Sequence, residues 1–416
     1  MLFLSKCPEC GESRVPHPIA KWSDKIGAAI ERFPLLRWVD SYTDTIGSRI
    51  RVRPEWHRRG KRICEALVRL GVMRKYTAAR ENESTRTIAL YEGAAATNVT
   101  LSQYCIGEVT VCFSAEKNDG TGRHILFSVI PRPLGYPGEV IKWLDDKSIL
   151  KQKLRAAKLP HASGGSARTF DEARTIFQAQ GQRVVVKPHR GSRGRHTTLD
   201  IRSEDELRAA CAIALQVTDE VVVERYFKGT VHRVTLIGGK PVAVARCEYP
   251  HVIGDGVHTV SELITLENKK PYRDGRFFKP LDPEYRVDMS LKKQSLTRLS
   301  VPACGQKVIL SDKNSRLHGT LTEDVTQQTH PETMQLFAAL GEVLGDSVVG
   351  VDFMCADITQ SWKEDSDAGF LECNSLPFID VHHRVISGDT VNVAAYLWDV
   401  VFPPQNTDSL PARYLV

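Results

Sequence analysis

Two acidic side chains and one amide in the last quarter of the chain have the types and spacing of a magnesium site. Asp352 lies in the apolar segment Gly350-Val-Asp-Phe, and Glu372 and Asn374 lie two apart in Phe370-Leu-Glu-Cys-Asn. Side chains two apart on a strand share a face, so the three groups converge if the two strands pair. Carboxylate and amide oxygens are ligands that Mg²⁺ accepts while it keeps waters and nucleotide phosphates. Grouped acids at the ends of apolar strands have no obvious structural use, so we favour the metal site over strand packing.

A lysine and a glycine-containing loop earlier in the chain suit a polyphosphate. Lys187 follows the apolar run Val184-Val-Val, and Gly191, Gly194 and Arg195 come soon after it. Glycine lets backbone N–H groups approach a ligand closely and donate to phosphate oxygens. Taken alone, the segment is more typical of a surface turn with solvated basic residues. The P-loop pattern G-x-x-x-x-G-K-[ST] does not occur in the sequence, which excludes a P-loop enzyme.

A second apolar strand runs into a short linker that carries aromatic residues. Its sequence is Glu220-Val-Val-Val-Glu224-Arg-Tyr226-Phe227. Main-chain groups of such a linker can bind the edge of a purine while apolar side chains cover the ring. The segment therefore predicts an adenine slot, with an ordinary core strand as the alternative.

The elements that must position these groups follow an α+β pattern with mixed sheets. Before residue 131 we predict a helix over Trp56–Leu70 and two strands, 105–112 and 124–130, around Asn118-Asp-Gly-Thr-Gly. A break at Pro131-Arg-Pro-Leu-Gly precedes alternating helices and strands. We expect an N-terminal α+β domain over 1–138 that recognises substrate, two subdomains over 139–218 and 219–404, and a tail over 405–416.

Composition excludes several classes of protein. The chain has 416 residues, of which 42% are hydrophobic and 25% charged, which argues against disorder, collagen and coiled coil. No apolar stretch reaches the roughly 20 residues that a membrane helix needs. Ten scattered cysteines indicate a reducing cytoplasm. Residues 1–100 hold 18 Lys and Arg against 11 Asp and Glu, a balance too mild to predict a nucleic-acid partner. The sequence is compatible with a homo-oligomer.

Two N-terminal features carry weaker signals. Cys7 and Cys10 have the spacing of a metal knuckle, but no second C-x-x-C completes a four-ligand zinc site, so an exposed turn remains the favoured alternative. A run of basic residues between Arg49 and Arg62 is most often a solvated face, and its functional alternative is attraction of an acidic substrate.

From Asp146 to Pro403, the order of these motifs resembles the ATP-grasp superfamily, and within it the ATP-grasp part of cyanophycin synthetase. The likeness is carried by a series of segments in the same order: Asp146-Lys147, Val186-Lys187-Pro, Gly191, Gly194-Arg195, Glu224-Arg-Tyr, Lys228-Gly229, Arg233, Pro250-His-Val-Ile-Gly-Asp-Gly, Asn314, Gly319-Thr320, His330-Pro-Glu, Gly350-Val-Asp-Phe, Glu372-Cys-Asn, Pro377, His382 and Asn392-Val-Ala. D-alanine–D-alanine ligase and glutathione synthetase are more distant members.

The resemblance implies an ATP-grasp fold and an ATP-dependent carboxylate–amine ligase, which joins an amino acid or peptide to an amine through an acyl phosphate. It implies ATP and Mg²⁺ as cofactors, with two ions and Mn²⁺ as a substitute. The implied nucleotide contacts are Lys147, Lys187, Gly191, Gly194, Arg195, Glu224, Tyr226 and Phe227. Asp352, Glu372 and Asn374 would hold the metal, and Arg233, Lys187 and Asn374 would be catalytic. The alternatives are a phosphotransferase without amide formation and a degenerate nucleotide-binding scaffold.

The chain departs from the related pattern at several positions. His196 stands where the pattern has a glycine, and Val231 replaces an acidic residue suited to the ribose hydroxyls. Phe378 and Asp380 replace a glycine and an arginine near the substrate end. The polar segment 356–368 is an insertion between the metal strands. The second ligase region of cyanophycin synthetase does not follow, so we expect a single ligation rather than a polymerase.

Overall fold

The computed structural model describes residues 54–136, 143–181, 183–189, 194–281, 285–312, 314 and 316–403. The α-helices there are α1 (Pro54–Arg69), α2 (Thr85–Ala96), α3 (Lys147–Ala156), α4 (Phe170–Ala179), α5 (Glu204–Ala214), α6 (Val260–Asn268), α7 (Tyr285–Lys293), α8 (Pro331–Leu344) and α9 (Val393–Val401). The strands are β1 (Arg74–Tyr76), β2 (Val99–Ile106), β3 (Val109–Lys117), β4 (His124–Phe127), β5 (Gly164–Ala167), β6 (Val184–Pro188), β7 (Thr198–Ile201), β8 (Val221–Arg225), β9 (Thr230–Ile237), β10 (Lys240–Glu248), β11 (His251–Ile253), β12 (Lys307–Ile309), β13 (Leu321–Asp324), β14 (Val348–Cys355) and β15 (Gly369–Asn374). Helices and sheets confirm the α+β class, but the expectation of mixed sheets is wrong, because the named strands of the described residues pair antiparallel throughout.

The N-terminal region forms a four-stranded sheet in the order β1-β2-β3-β4. The predicted helix over Trp56–Leu70 is observed as α1, and β3 and β4 form the expected hairpin. The predicted strand 105–112 is wrong, because a turn at Gly107 divides it between β2 and β3. Gly107 has a φ of 57°, a left-handed conformation that ends the extended backbone there.

A second four-stranded sheet, in the order β5-β8-β6-β7, packs against α4 and α5. Helix α4 starts at a capping box, in which Thr169 and Glu172 satisfy each other's backbone N–H groups. Because β8 pairs with both β5 and β6, this sheet extends to Arg225. This sheet thus continues past residue 218, the expected end of the first subdomain, and residues 226–229 form the linker between it and β9.

The largest sheet has five strands in the order β13-β10-β9-β14-β15. One face is covered by α8, where the rings of Phe337 and Phe353 meet edge to face with centroids 5.0 Å apart. A smaller lobe of β11, β12, α6 and α7 has an apolar core of its own.

The N-terminal region shares its core with the second subdomain. Helix α9 packs across α2, and the Trp398 indole N–H donates to the Leu90 carbonyl over 3.0 Å. A Cβ added to Gly93 would lie 2.5 Å from the Ala394 Cβ, so this crossing requires glycine. None of the helices in the described part of the chain has the length and apolar composition that crossing a membrane requires.

Candidate functional site

Three adjacent strands place one arginine and two carboxylates in a single row. Arg233 on β9 is the register partner of Asp352 on β14, and Asp352 is the partner of Glu372 on β15. Directly paired residues of antiparallel strands project on the same face, so the three side chains are neighbours. Asn374 follows on that face and is paired with Gly350. The strand pairing on which the metal-site prediction depends is therefore observed.

Within the row, Arg233 binds Asp352 through two contacts. Its Nε lies 2.9 Å from Asp352 Oδ1, and its Nη2 donates to Oδ2 over 3.3 Å. The pKa of Asp352 is raised to about 6, mainly by burial and also by neighbouring Glu372, although Arg233 opposes the shift. Two nearby carboxylates disfavour each other's charged form, which is the situation that a divalent cation relieves.

Glu372 has the opposite pKa shift because cations surround it. Burial by itself would raise its pKa, but Lys147, Lys187 and Arg233 outweigh burial and lower it. The Asn374 amide donates to Glu372 Oε1 over 3.3 Å, which leaves the oxygen of that amide for another partner. Lysines from the first subdomain thus act on the carboxylate of the second, and the two halves share one site.

The residues present fit a magnesium ion that is completed by a ligand. Within the described residues, no group of three or more His, Cys, Asp or Glu side chains could enclose a metal. Asp352, Glu372 and Asn374 would supply part of an oxygen shell, which suits Mg²⁺ because it retains waters and phosphate oxygens. Gly350 keeps the adjacent space open, since an added Cβ would lie 2.8 Å from Arg233 Nη1 and 2.7 Å from the Pro377 Cβ.

Three lysines of the first subdomain surround one buried glutamate. Glu224 is 3% exposed, and its oxygens lie 2.8 Å from Lys187 Nζ and 2.5 Å from Lys151 Nζ. Lys147 is also buried, and burial lowers its pKa even though Glu372 and Glu224 oppose the shift. The sequence analysis missed Lys151. The spacing of Lys151 from Lys147 could have indicated it, because residues four apart on a helix share a face and Lys147 is the first residue of α3.

The linker after β8 carries a small apolar cluster, termed here the recess at Phe227, which is the candidate adenine slot. Phe227 is buried beside Ala162 and Met354, and Val231 and Leu371 pack at the margin of this cluster. Val231, the departure from the acidic ribose position, is therefore part of an apolar wall. The Tyr226 N–H already donates to the Arg183 carbonyl over 2.9 Å, so a purine edge would have to use other main-chain groups of the linker.

The glycine loop is only partly described. Gly191 lies outside the described residues, whereas Gly194 has a φ of 63° and Arg195 follows it in the same turn. His196 has a φ of 53°, the left-handed conformation that glycine adopts without strain, and the related pattern has glycine at this position. Its buried ring makes a 2.9 Å hydrogen bond through Nδ1 with the Ile213 carbonyl of α5, which holds the turn against the helix.

The N-terminal region reaches the segment that follows the metal strands. The Arg86 guanidinium lies over the ring of Phe378 at 4.6 Å, and Glu92 pairs with His383 Nδ1 at 3.0 Å. Asp380 is buried and pairs with Arg316 at 3.3 Å. The sequence analysis did not single out Arg86, Glu92 or Arg316, because only the folded chain brings α2 to this place.

Two further sequence features have different outcomes. Cys373, which lies between Glu372 and Asn374 in the sequence, packs in the apolar core on the opposite face of β15. Cys7 and Cys10 lie outside the described residues.

Comparisons with known proteins agree with this geometry. No protein-family model matches the chain. It is 34% identical over 273 residues to cyanophycin synthetase from Crocosphaera subtropica, a match that covers 64% of this chain and 31% of the relative. It is 28% identical over 265 residues to the glutathione biosynthesis bifunctional protein GshAB of Streptococcus agalactiae, covering 62% and 35%. The chain thus spans about a third of the length of these relatives.

A solved structure gives the fold. The chain matches the bifunctional glutathione synthetase from Pasteurella multocida with a TM-score of 0.54 and 23% identity, over 77% of this chain and 44% of that one. The chain has an ATP-grasp fold. The resemblance to the ATP-grasp superfamily, and within it to cyanophycin synthetase, is confirmed.

Proposed function

We propose that this ATP-grasp protein is an ATP-dependent carboxylate–amine ligase that forms an amide or peptide bond through an acyl phosphate. The observation that carries the proposal is the row of Arg233, Asp352 and Glu372, which shares one site with Lys147 and Lys187 of the other subdomain. Cations on one side and acids on the other match the two components of a magnesium–nucleotide complex. The relatives named as cyanophycin synthetase and as a glutathione biosynthesis protein support this chemistry.

In the proposed complex, Lys147 and Lys187 hold the nucleotide phosphates, and the turn with Gly191, Gly194 and Arg195 covers them. Adenine enters the recess at Phe227, where main-chain groups of Tyr226 and Phe227 face its edge. Glu224 lies at the same end of the site, between Lys187 and Lys151. A buried carboxylate there can accept from the exocyclic amine of adenine while the lysines turn to the phosphates.

Asp352, Glu372 and Asn374 would hold Mg²⁺, as two ions or with Mn²⁺ as a substitute. The metal supplies neutralisation of phosphate charge, which is a large part of catalysis in phosphoryl transfer. Arg233 contributes a fixed guanidinium beside the metal ligands and can steady the transferred phosphate. Its two contacts with Asp352 keep it in place before substrates bind.

The proposed reaction has two steps. A substrate carboxylate attacks the γ-phosphate to give an acyl phosphate and ADP, and an amine then displaces phosphate to form the amide. Water must be kept out because it would hydrolyse the acyl phosphate, a role that suits the loop 189–196. The helix α2 brings Arg86 and Glu92 to the segment after Pro377, which makes the N-terminal region part of the substrate end.

The substrates proposed are small: an amino acid or peptide carboxylate and an amine, in the cytoplasm, with neither nucleic acid nor membrane as a partner. A single ligation fits the departures at Phe378 and Asp380 better than the polymerising reaction of cyanophycin synthetase. Asp380 beside Arg316 presents a different charge pattern from the arginine of that relative's motif.

The test measures ADP release over a panel of amino acids and short peptides, with the full chain, ATP and Mg²⁺. A ligase releases ADP fully only when both a carboxylate and an amine are supplied, and chelation of Mg²⁺ stops the release. A phosphotransferase would need one substrate and would yield a stable phosphorylated product. A scaffold would release nothing above background in any mixture.

Glu372→Gln tests the metal assignment directly, because it removes one negative charge and keeps the side-chain volume. We expect turnover to fall at least a hundredfold, the usual scale for loss of one preorganised electrostatic group, roughly 3 kcal/mol. Glu342→Gln is the matched control, since Glu342 is exposed on α8, far from the row in the fold. Undiminished turnover in Glu372→Gln would refute the metal assignment.

A further inference from the structure

The inserted segment 356–368 between the two metal strands contacts the linker that joins the subdomains. Asp367 accepts a hydrogen bond from Arg225 Nη2 over 2.7 Å through Oδ1, and from the Lys228 backbone N–H over 3.2 Å through Oδ2. Arg225 is the last residue of β8, and Lys228 lies in the linker 226–229. One carboxylate therefore binds both the beginning and the middle of the interdomain connection.

The inserted segment is internally braced, so it presents Asp367 in a fixed position. Asp365 accepts from the Ala356 N–H over 2.7 Å and from the Asp367 N–H over 2.9 Å. The Ala368 N–H donates to the Asp365 carbonyl over 3.0 Å. These hydrogen bonds connect the two ends of the segment beside β14 and β15. Asp367 is therefore held in a fixed position relative to the sheet.

The linker is also held from its other side. The Arg225 N–H donates to the Ser163 carbonyl over 2.8 Å, and the Tyr226 N–H donates to the Arg183 carbonyl over 2.9 Å. Gly229 has a φ of 157°, and a Cβ there would lie 2.4 Å from the Cys355 carbonyl oxygen. The first subdomain thus holds the start of the linker, and the second holds its end. Asp367 contacts the linker between these two points.

The same contact orders the recess at Phe227. The Arg225 guanidinium carbon lies 5.6 Å from the centroid of the Phe227 ring, within range of a cation–π interaction. A Cβ on Gly369, two residues after Asp367, would lie 2.7 Å from Phe227 Cε2, so the ring rests on the start of β15. Displacing Asp367 would release both Arg225 and the backbone on which Phe227 depends.

We propose that Asp367 is a positioning residue for nucleotide binding, which acts through Arg225 and the Lys228 amide to hold the interdomain linker and its purine recess in the binding conformation. The inference rests on the proposed function, because it assigns the recess to the nucleobase. It adds a role for the segment 356–368, which we expect to be an insertion. Asp367 touches neither the metal row nor the phosphate-binding lysines, so its effect should fall on nucleotide affinity rather than on the chemical step.

The experiment measures ADP binding by calorimetry, which needs no second substrate, together with the KM for ATP and kcat. We expect Asp367→Ala to weaken ADP binding and to raise the KM for ATP by about tenfold, the scale of one partly exposed charge-assisted hydrogen bond. We expect kcat to change less than about threefold, because the row and the lysines are untouched. Asp357→Ala is the matched control, since that carboxylate lies in the same segment and accepts from the backbone N–H and the hydroxyl of Thr359, outside the linker.

Two further variants separate positioning from general stability. If Asp367 acts through Arg225, then Arg225→Ala should weaken ADP binding similarly, and the double variant should be little weaker than either single one. Asp367→Glu, which keeps the charge, should recover part of the affinity. ADP binding equal to that of Asp357→Ala, or a loss of kcat with unchanged ADP binding, would overturn the inference. Failure of the unaltered protein to bind ADP would instead overturn the proposed function.

Discussion

Lys151 is a buried ammonium group, and replacing it should stabilise the protein at neutral pH. Its side chain is 13% exposed, and its Nζ lies 2.5 Å from Glu224 Oε1. Burial lowers the pKa of Lys151 to about 8, although Glu224 opposes the shift. A fall from the ordinary value of 10.5 to about 8 costs about 3 kcal/mol of folding free energy, because each tenfold change in proton affinity is worth about 1.4 kcal/mol.

The pH dependence follows from where the proton is held. The unfolded chain keeps the Lys151 proton up to its ordinary pKa of 10.5, whereas the folded protein releases it near pH 8. Between these values the unfolded state binds more protons, so this lysine makes the free energy of unfolding rise with pH. Its full cost is present below pH 8 and disappears above pH 10.5.

Lys151→Met removes the charge and keeps an unbranched apolar stem of similar length. Glu224 loses one of two ammonium partners but keeps Lys187 at 2.8 Å, so part of the gain is offset. We expect the variant to be more stable than the unaltered protein by about 1–2 kcal/mol at pH 7, less than the cost of the buried ammonium because Glu224 loses one of its partners. This difference should shrink steadily as the pH rises from about 8 to 10.

The assay is urea unfolding followed by tryptophan fluorescence at several pH values between about 7 and 10, comparing the free energies of unfolding. Lys153→Met is the control, because it makes the same chemical change at an exposed position of the same helix. A Lys151→Met variant that is less stable at pH 7, or a difference that does not change with pH, would refute the reasoning about the buried charge.

Two glycines offer direct steric tests. Gly350→Ala should lower kcat and destabilise the fold by about 1–3 kcal/mol, because its Cβ would lie 2.8 Å from Arg233 Nη1 and 2.7 Å from the Pro377 Cβ. Turnover and thermal unfolding check this, and unchanged values of both would show that the space beside the row is not needed. Gly93→Val should destabilise the fold by at least about 2 kcal/mol without altering the metal row, since its Cβ would meet the Ala394 Cβ at 2.5 Å. A midpoint of thermal unfolding equal to that of the unaltered protein would mean that α2 and α9 do not cross as described.

The row of Arg233, Asp352 and Glu372 could be predicted in part because strand geometry is periodic. Glu372 and Asn374 must share a face once their segment is extended, and Asp352 joins them when β14 and β15 pair. Whether Arg233 lies beside these residues depends on the register of β9 against β14, and neither segment predicts that register by itself. The strand pattern gives no geometric reason for a role of Arg233. Only the order of the motifs implies that this residue is catalytic.

Other contacts could not be derived from local pattern, because they join residues far apart in the chain. The Trp398 indole reaches the Leu90 carbonyl across 308 positions, and α2 shares an apolar core with α9. Asp145 accepts from the Ser375 N–H over 2.9 Å and so anchors the start of α3 to the end of β15. Such pairings result from packing whole layers together, and no periodicity within either segment indicates them.

The charges of the site are already paired with one another, which bears on how its ligands must bind. Glu224 lies between Lys187 and Lys151 and pairs with both, and Arg233 pairs with Asp352. On the proposed function, a nucleotide alone would draw the lysines away from Glu224, and a metal ion alone would compete with Arg233 for Asp352. Either ligand alone would leave one buried charge without its partner, which is costly because the site is buried. A magnesium–nucleotide complex brings both signs at once, so the arrangement favours joint binding over binding of either component by itself.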